Sequence, residues 1–468
     1  MAWNRGGALS GRRVLLIEWK GASLDFLSAL AERSVMPRVA GLLESAASTS
    51  LPTTPNLGET SARATFWTGC RPTVHGVIDD FWLDARRSRL RTHRMDRLAR
   101  PTLCQSVETA FGPAAVVRLE DFDRAGFPWH DAPADLATLR RRAAETRTAL
   151  RQLAARAAQT DSDRWRLMTI RLRTLQGLQH HLGNALPAGD RPGANLQWID
   201  VVAEVLRAWD QCLAELSRLA RHRGAALVVA SSCGVVPYRG RITLCELLQR
   251  AGLLRLRRGV GALPYHVSRL RWKARRSLGR RAGSARPLAV VLPIDWRRTS
   301  VVTLHGQSAA MVYLNTRERF GTRVLRTASA EDRAAEAALN ALIEARHPTT
   351  NERLFVDAFR TDARFGPAAL RHGWPEVIGI PAAGFQTRHR TDRKGRLVRD
   401  GWRQTGTSGG AGLLLVDSPG IAAGRHEAIP LEEVAHVVLD LLNSPKAEGS
   451  ASKSLLEAIG DTADTAGP

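Results

Sequence analysis

The chain has 468 residues, 44% of them hydrophobic and 24% charged, the proportions of a globular protein able to bury a large core. Its net charge of +23 is carried almost wholly by arginine. With the many alanines this is a bacterial-like, GC-rich composition, and either a solvated basic surface or attraction to a polyanion accounts for it. Five scattered cysteines (Cys70, Cys104, Cys212, Cys233 and Cys245) without a CxxC pair exclude a disulfide framework and a zinc–thiolate site.

The opening MAWNRGGALSGRR lacks the apolar core of a signal peptide, so a cytoplasmic location is expected. No run approaches the ~18 apolar residues of a membrane span. Val14–Ile17 reads as a buried strand, and Leu24–Leu43 as helix interrupted at Pro37. Ser48–Pro55, rich in Thr and Pro, reads as a loop leading into a helix over Glu59–Thr68. Asp131–Arg166 reads as a solvated helical excursion. Leu167–Ile170 and Ala225–Ala230 read as strands, with an amphipathic helix over Trp198–Ala220 between them. Arg255–Arg286 is the most basic stretch, either a loop or a short amphipathic helix. A solvated insertion, an anionic membrane surface and nucleic acid all remain open for it. Met311–Leu314 and Leu413–Val416 read as strands, Ala330–Glu344 and Leu431–Leu442 as helices.

Short apolar strands alternating with helices imply an α/β fold with a mostly parallel central sheet covered on both faces. The expected organisation is one α/β domain over residues 12–445, with a helical insertion at about 131–166 and a basic one at about 255–290. Residues 446–468, rich in Ala, Ser, Asp and Gly, are expected to be a disordered tail. Ligands of such sheets bind beyond the carboxyl ends of the strands, so the loops after Ile17, Ile170 and Ala230, and the run before Leu413, are where chemistry is expected.

Those loops carry a pattern. VLLIEWKGASLDFL with MPRVAGLLESAAS, then ATFWTGCRPTVHGVIDDFW at Ala64–Trp82, LQGLQHHLG at Leu175–Gly183, LVVASSCGVVPYRGRITLCELLQRAGLL at Leu227–Leu254, IDWRRTSVVTL, MVYLNTRERFG and GTSGGAGLLLVDSPGI follow one another in order. Together they resemble the alkaline phosphatase superfamily, in its type I phosphodiesterase/nucleotide pyrophosphatase branch. The resemblance implies an alkaline-phosphatase-like sheet. It also implies two divalent ions, usually zinc, about 4 Å apart, held by carboxylates and imidazoles, with a Thr or Ser attacking phosphorus.

At the positions matching that machinery the chain departs from the family. Lys20 stands where the first metal-binding Asp would follow the opening strand. Counting back from Thr68-Gly69 puts Glu59 at the nucleophile, with Thr60 beside it. Gln176 replaces the Asp of a D-x-x-x-H pair whose His180 remains, Ser232-Cys233 replaces an Asp-His pair, and Ser408 falls on the last His. Six of the seven positions are substituted, so no metal and no cofactor is expected. Lys20 and Glu59 are expected to form an ion pair in the former active site, because a buried charge without a partner costs several kcal/mol.

Three functions follow. The first is a pseudoenzyme with a binding or regulatory role toward an anionic ligand or a protein partner. The second is a zinc-free hydrolase or transferase acting on an anionic substrate. In it Glu59 would be base or nucleophile, Lys20 an electrostatic clamp and His180 an acid, with Cys233 a thiolate if Lys20 lowers its pKa. The third is a polyanion-binding protein working through the basic stretch.

Overall fold

The computed structural model describes residues 12–443 except 53–57, 86–87, 94, 96–97, 122–126, 130, 161–164, 184–185, 187–195, 258, 278–285, 289–290, 323, 372, 393 and 400–403. The C-terminal tail expected at 446–468 lies outside the described residues.

Among the described residues, seven strands form the central sheet: β1 (Arg13–Trp19), β2 (Ala47–Leu51), β3 (Val116–Glu120), β4 (Leu167–Leu172), β5 (Ala225–Ser231), β6 (Gly412–Asp417) and β7 (Gly424–Arg425). Their spatial order is β7-β2-β6-β5-β1-β4-β3. β1 runs parallel to β4 and β5, β3 parallel to β4, and β2 parallel to β7; β6 alone is antiparallel to its neighbours, β5 and β2. The sheet is therefore mostly parallel, and helices pack on both faces.

Alternation along β1 divides the two faces, as the period of two requires. Leu15 and Ile17 join a core built with helices α1 (Leu24–Glu32), α2 (Pro37–Ser45), a long helix over Leu136–Gln159 and another over Leu196–His222. Val14 and Leu16 join the opposite core, against α3 (Glu59–Thr68), Leu103–Phe111 and Glu433–Leu441. A third core lies under a four-stranded antiparallel sheet ordered Val301–Thr303, Ala310–Leu314, Val377–Pro381, Phe355–Arg360 and includes the helix Ala328–Ile343.

α1 starts at Ser23, whose hydroxyl accepts from the Phe26 N–H, the usual cap of an orphan donor. α2 has no such residue of its own. Asp210, buried on the Leu196–His222 helix, supplies the cap from a distance by accepting from the Arg38 and Val39 N–H groups.

Two expectations are corrected. The segment 48–55 is not all loop: Ala47–Leu51 is an inner strand of the sheet, lying between β6 and β7. Its hydroxyls hid it, since Ser48 Oγ and Thr49 Oγ1 donate to the Gly424 and Glu427 carbonyls instead of facing water. Nor is the segment 131–166 a solvated excursion. Its helix buries Leu139, Ala143, Leu150 and Leu153 in the core shared with the Leu196–His222 helix.

Candidate functional site

The site is built where β1, β4 and β5 end and α3 begins. The Lys20 N–H donates to the Leu172 carbonyl at 2.9 Å, which fastens the turn after β1 to the end of β4. Next comes Gly21, at φ +86°, whose missing side chain would fall 2.9 Å from the Gln176 Cα. Glycine is therefore required twice over there, by conformation and by the close passage of the helix α4 (Thr174–Leu182). Gln179 Nε2 donates to the Gly21 carbonyl at 2.8 Å and locks the same approach.

Lys20 is buried, and its ammonium donates to Glu59 Oε1 in an ion pair. Glu59 is the first residue of α3, where the positive end of the helix dipole also favours a carboxylate. The Lys20 ammonium holds the Glu59 carboxyl down at about 2, so it is ionised near neutrality. The pair expected from the sequence is thus present.

Beneath it charges alternate. Glu18, buried in β1, faces Arg171 of β4 at 3.1 Å, and Arg171 reaches Glu120 of β3 at 3.8 Å. Arg63, one helical turn after Glu59, feels Glu18, Glu59 and Arg171, and burial lowers its pKa. Lys20, Arg63 and Arg171 against Glu18, Glu59 and Glu120 give three cations and three carboxylates, a patch with no net charge.

In the same neighbourhood, Gln176 Nε2 donates to Ser408 Oγ at 2.8 Å, and Ser408 Oγ lies 3.2 Å from His180 Nε2. Having accepted from Gln176, the Ser408 hydroxyl still has one proton and one lone pair, so the direction of its contact with His180 follows the tautomer of the ring. Burial pushes His180 down to about 4 against the opposing pull of Glu59, so the ring is neutral near pH 7, which does not suit the acid role considered from sequence. Cys233 is corrected too. Burial and the Glu59 charge raise its thiol to about 11, outweighing Lys20 and its contacts with Ser232 and Ser408, so it is no thiolate. The turn that carries Ser232 and Cys233 is closed by Ser231 Oγ donating to the Cys233 carbonyl at 2.8 Å.

Lys20, Glu59, Gln176, His180, Cys233 and Ser408 are therefore gathered in one cluster. Thr60 is engaged elsewhere: its hydroxyl donates to Asp80 Oδ1. Asp80 opens a polar group that sequence reasoning missed. Asp79 Oδ2 is 2.6 Å from His305 Nδ1, and His305 Nε2 is 2.6 Å from the Tyr313 hydroxyl, all three residues buried. Burial and the neighbouring Asp79 raise the pKa of Asp80. Asp79 and His305 lie 226 residues apart, and only the Asp-Asp pair inside the VHGVIDDFW segment offered a sequence signal. Among the described residues, no three His, Cys, Asp or Glu side chains are grouped so as to hold a metal ion.

The family model "Type I phosphodiesterase / nucleotide pyrophosphatase" matches residues 14–403. No curated protein sequence matches the chain. Among solved structures, murine ectonucleotide pyrophosphatase/phosphodiesterase 5, an inactive point variant in complex with AMP, superposes with a TM-score of 0.56 at 11% identity, covering 94% of this chain and 97% of that one. The human protein of the same name gives 0.53 at 12% identity, with the same coverage. At such identities the likeness is one of fold.

Proposed function

The chain belongs to the type I phosphodiesterase/nucleotide pyrophosphatase family, and from that premise we propose that it is a pseudoenzyme-like member, non-catalytic for two-metal phosphoryl transfer, with a binding or regulatory role. The observation that carries this reading is the ion pair of Lys20 with Glu59. By the family resemblance, these residues stand at a metal ligand and at the nucleophile.

The side chains present do not fit two zinc ions. Zinc in a hydrolytic site takes imidazole and carboxylate donors. A protonated Lys20 has no lone pair and repels a cation, and Cys233 holds its proton to about 11. Gln176 and Ser408 satisfy each other. His180 remains as the one imidazole at the matched positions, and one imidazole is a weak ligand set. On this reading the substitutions compensate one another: the Lys20 charge sits where a metal charge would be, and Glu59 neutralises it.

What this group of side chains offers a ligand is polar and close to neutral, with Glu59 part-exposed. We read its role as recognition, of an anionic small molecule or a protein partner, in the cytoplasm. The competing reading is zinc-free hydrolysis with Glu59 as base, favoured by the ionised, part-exposed Glu59 carboxylate. One experiment separates them: metal analysis of the purified chain together with hydrolysis of a nitrophenyl phosphodiester, with and without added zinc. The pseudoenzyme reading expects sub-stoichiometric metal and no turnover in either condition. Turnover abolished by Glu59→Gln would establish the competing reading, and stoichiometric zinc would overturn both.

A further inference from the structure

The basic stretch left open by the sequence contains a 15-residue helix, Leu263–Ser277, whose amphipathic pattern is turned outward. At 100° per residue Leu263, Val267 and Leu270 fall within about 60° of one another. They are 58%, 40% and 72% exposed, and Val260, in the preceding turn, is 87% exposed. Ala274 continues the stripe and is also exposed. The opposite side of the helix carries Tyr265, Ser268, Arg269 and Trp272, all half-buried. Tyr265 and Arg269 bind each other there through a 3.1 Å hydrogen bond. The apolar stripe therefore points away from the body of the protein.

Its surroundings along the chain are basic. Arg271 and Lys273 flank the stripe at about 80° on either side by the same periodicity, and both are exposed. Arg255 and Arg257, exposed just before the helix, add to them. No Asp or Glu occurs between Glu246 and Asp295. Among the described residues, no helix is long and apolar enough to cross a membrane, so a spanning role is not available to this element.

We propose that the Leu263–Ser277 helix, with Val260, is a docking surface for an anionic lipid bilayer, lying in the plane of the interface with Leu263, Val267 and Leu270 buried among the acyl chains. Two features together select this occupant. An apolar stripe gains nothing from a nucleic-acid backbone, whose contacts are charged and wet. A second copy of the chain, packed face to face, would bring Arg271 and Lys273 against their own like charges. A membrane of anionic lipids answers both halves, giving the leucines an apolar medium and the cations a negative surface.

The test is co-sedimentation of the full chain with phosphatidylcholine vesicles, with and without phosphatidylglycerol, beside the variants Leu263→Ser/Leu270→Ser and Arg271→Glu/Lys273→Glu. Leu263 and Leu270 are exposed, so circular dichroism melting should be unchanged in the serine pair; it is measured for the glutamate pair too, because Lys273 makes a contact of its own. The expected result is binding to the anionic vesicles at least about tenfold tighter than to the neutral ones. The serine pair should weaken it about tenfold, and the glutamate pair should remove the preference for anionic lipid. The proposal is overturned if the chain ignores anionic vesicles or if the serine pair binds them as well as the parent. A dimer in solution that the serine pair dissolves, without vesicle binding, would overturn it as well. So would retention on DNA in place of vesicles.

Discussion

Lys20 and Glu59, 39 residues apart, join the end of the first strand to the start of the helix that follows the second, and the two sides of this ion pair are not equally dry: the Lys20 side chain is 5% exposed, that of Glu59 43%. Removing the carboxylate strands an ammonium away from water, whereas removing the ammonium leaves a carboxylate that solvent can reach. Glu59→Gln is therefore expected to cost about 3 kcal/mol, and Lys20→Met less than half of that. Chemical denaturation of both variants checks the asymmetry. Equal losses of about 3 kcal/mol would mean that Glu59 is as dry as Lys20, and equal small losses that the pair is solvated at both ends.

If the scaffold still holds the positions in register, reinstating the family's residue types should reinstate a metal site, but only collectively. Lys20→Asp alone puts a second carboxylate beside Glu59 with a single imidazole, His180, and should hold zinc only weakly, because the other partners are an amide, two hydroxyls and a thiol that burial keeps protonated. The sixfold variant Lys20→Asp, Glu59→Thr, Gln176→Asp, Ser232→Asp, Cys233→His, Ser408→His supplies carboxylates and imidazoles around His180. It is expected to bind zinc and to melt higher in its presence, as a ligand that binds only the folded state requires. Metal analysis and thermal shift with and without chelator read the outcome.

That such a variant can be designed at all reflects what was legible. The helix Glu59–Thr68 begins and ends where its sequence pattern places it, so counting back from Thr68-Gly69 along a rigid rod landed on the residue that meets Lys20. The apolar runs of β1 and β5 are continuous because both their faces are covered, and they were readable for the same reason. The inner strand Ala47–Leu51 was not, since its Ser and Thr hydroxyls are satisfied by the neighbouring chain and polarity then says nothing about exposure. The Asp79–His305–Tyr313 group escaped because contacts between distant segments carry no local period.

Glu18 and Arg171 make a second buried pair, 3.1 Å apart, although neither Glu18 oxygen nor Arg171 Nε makes an aligned hydrogen bond. Arg171→Leu should cost about 3–5 kcal/mol by leaving the Glu18 carboxylate without its nearest cation. Replacing both residues, as Glu18→Leu with Arg171→Leu, should recover most of that loss, since desolvation of the two ions is then avoided as well. A double-mutant cycle in urea measures the coupling. A double variant as unstable as the single one would show that the pair is not what holds β1 to β4.

The last prediction concerns acid. His75 is buried, its Nδ1 accepting the Val77 N–H at 3.1 Å while Nε2 lies 3.0 Å from Thr65 Oγ1. Protonating Nδ1 would break the first contact and charge a dry site, and burial accordingly holds this histidine down at about 3. The folded value lies below the ordinary histidine value, so the unfolded chain binds the proton first. Stability from this group is complete above about pH 6.5 and is lost progressively as the pH falls toward 3. His93 and His180, both lowered to about 4 chiefly by burial, act in the same direction. The melting temperature should therefore drop steadily between about pH 6.5 and 4, before most carboxylates titrate. His75→Asn removes the ionisable ring while keeping a short acceptor for the Val77 N–H. It should lower stability at neutral pH, yet flatten that slope. A slope unchanged in the variant would place the acid sensitivity in other groups.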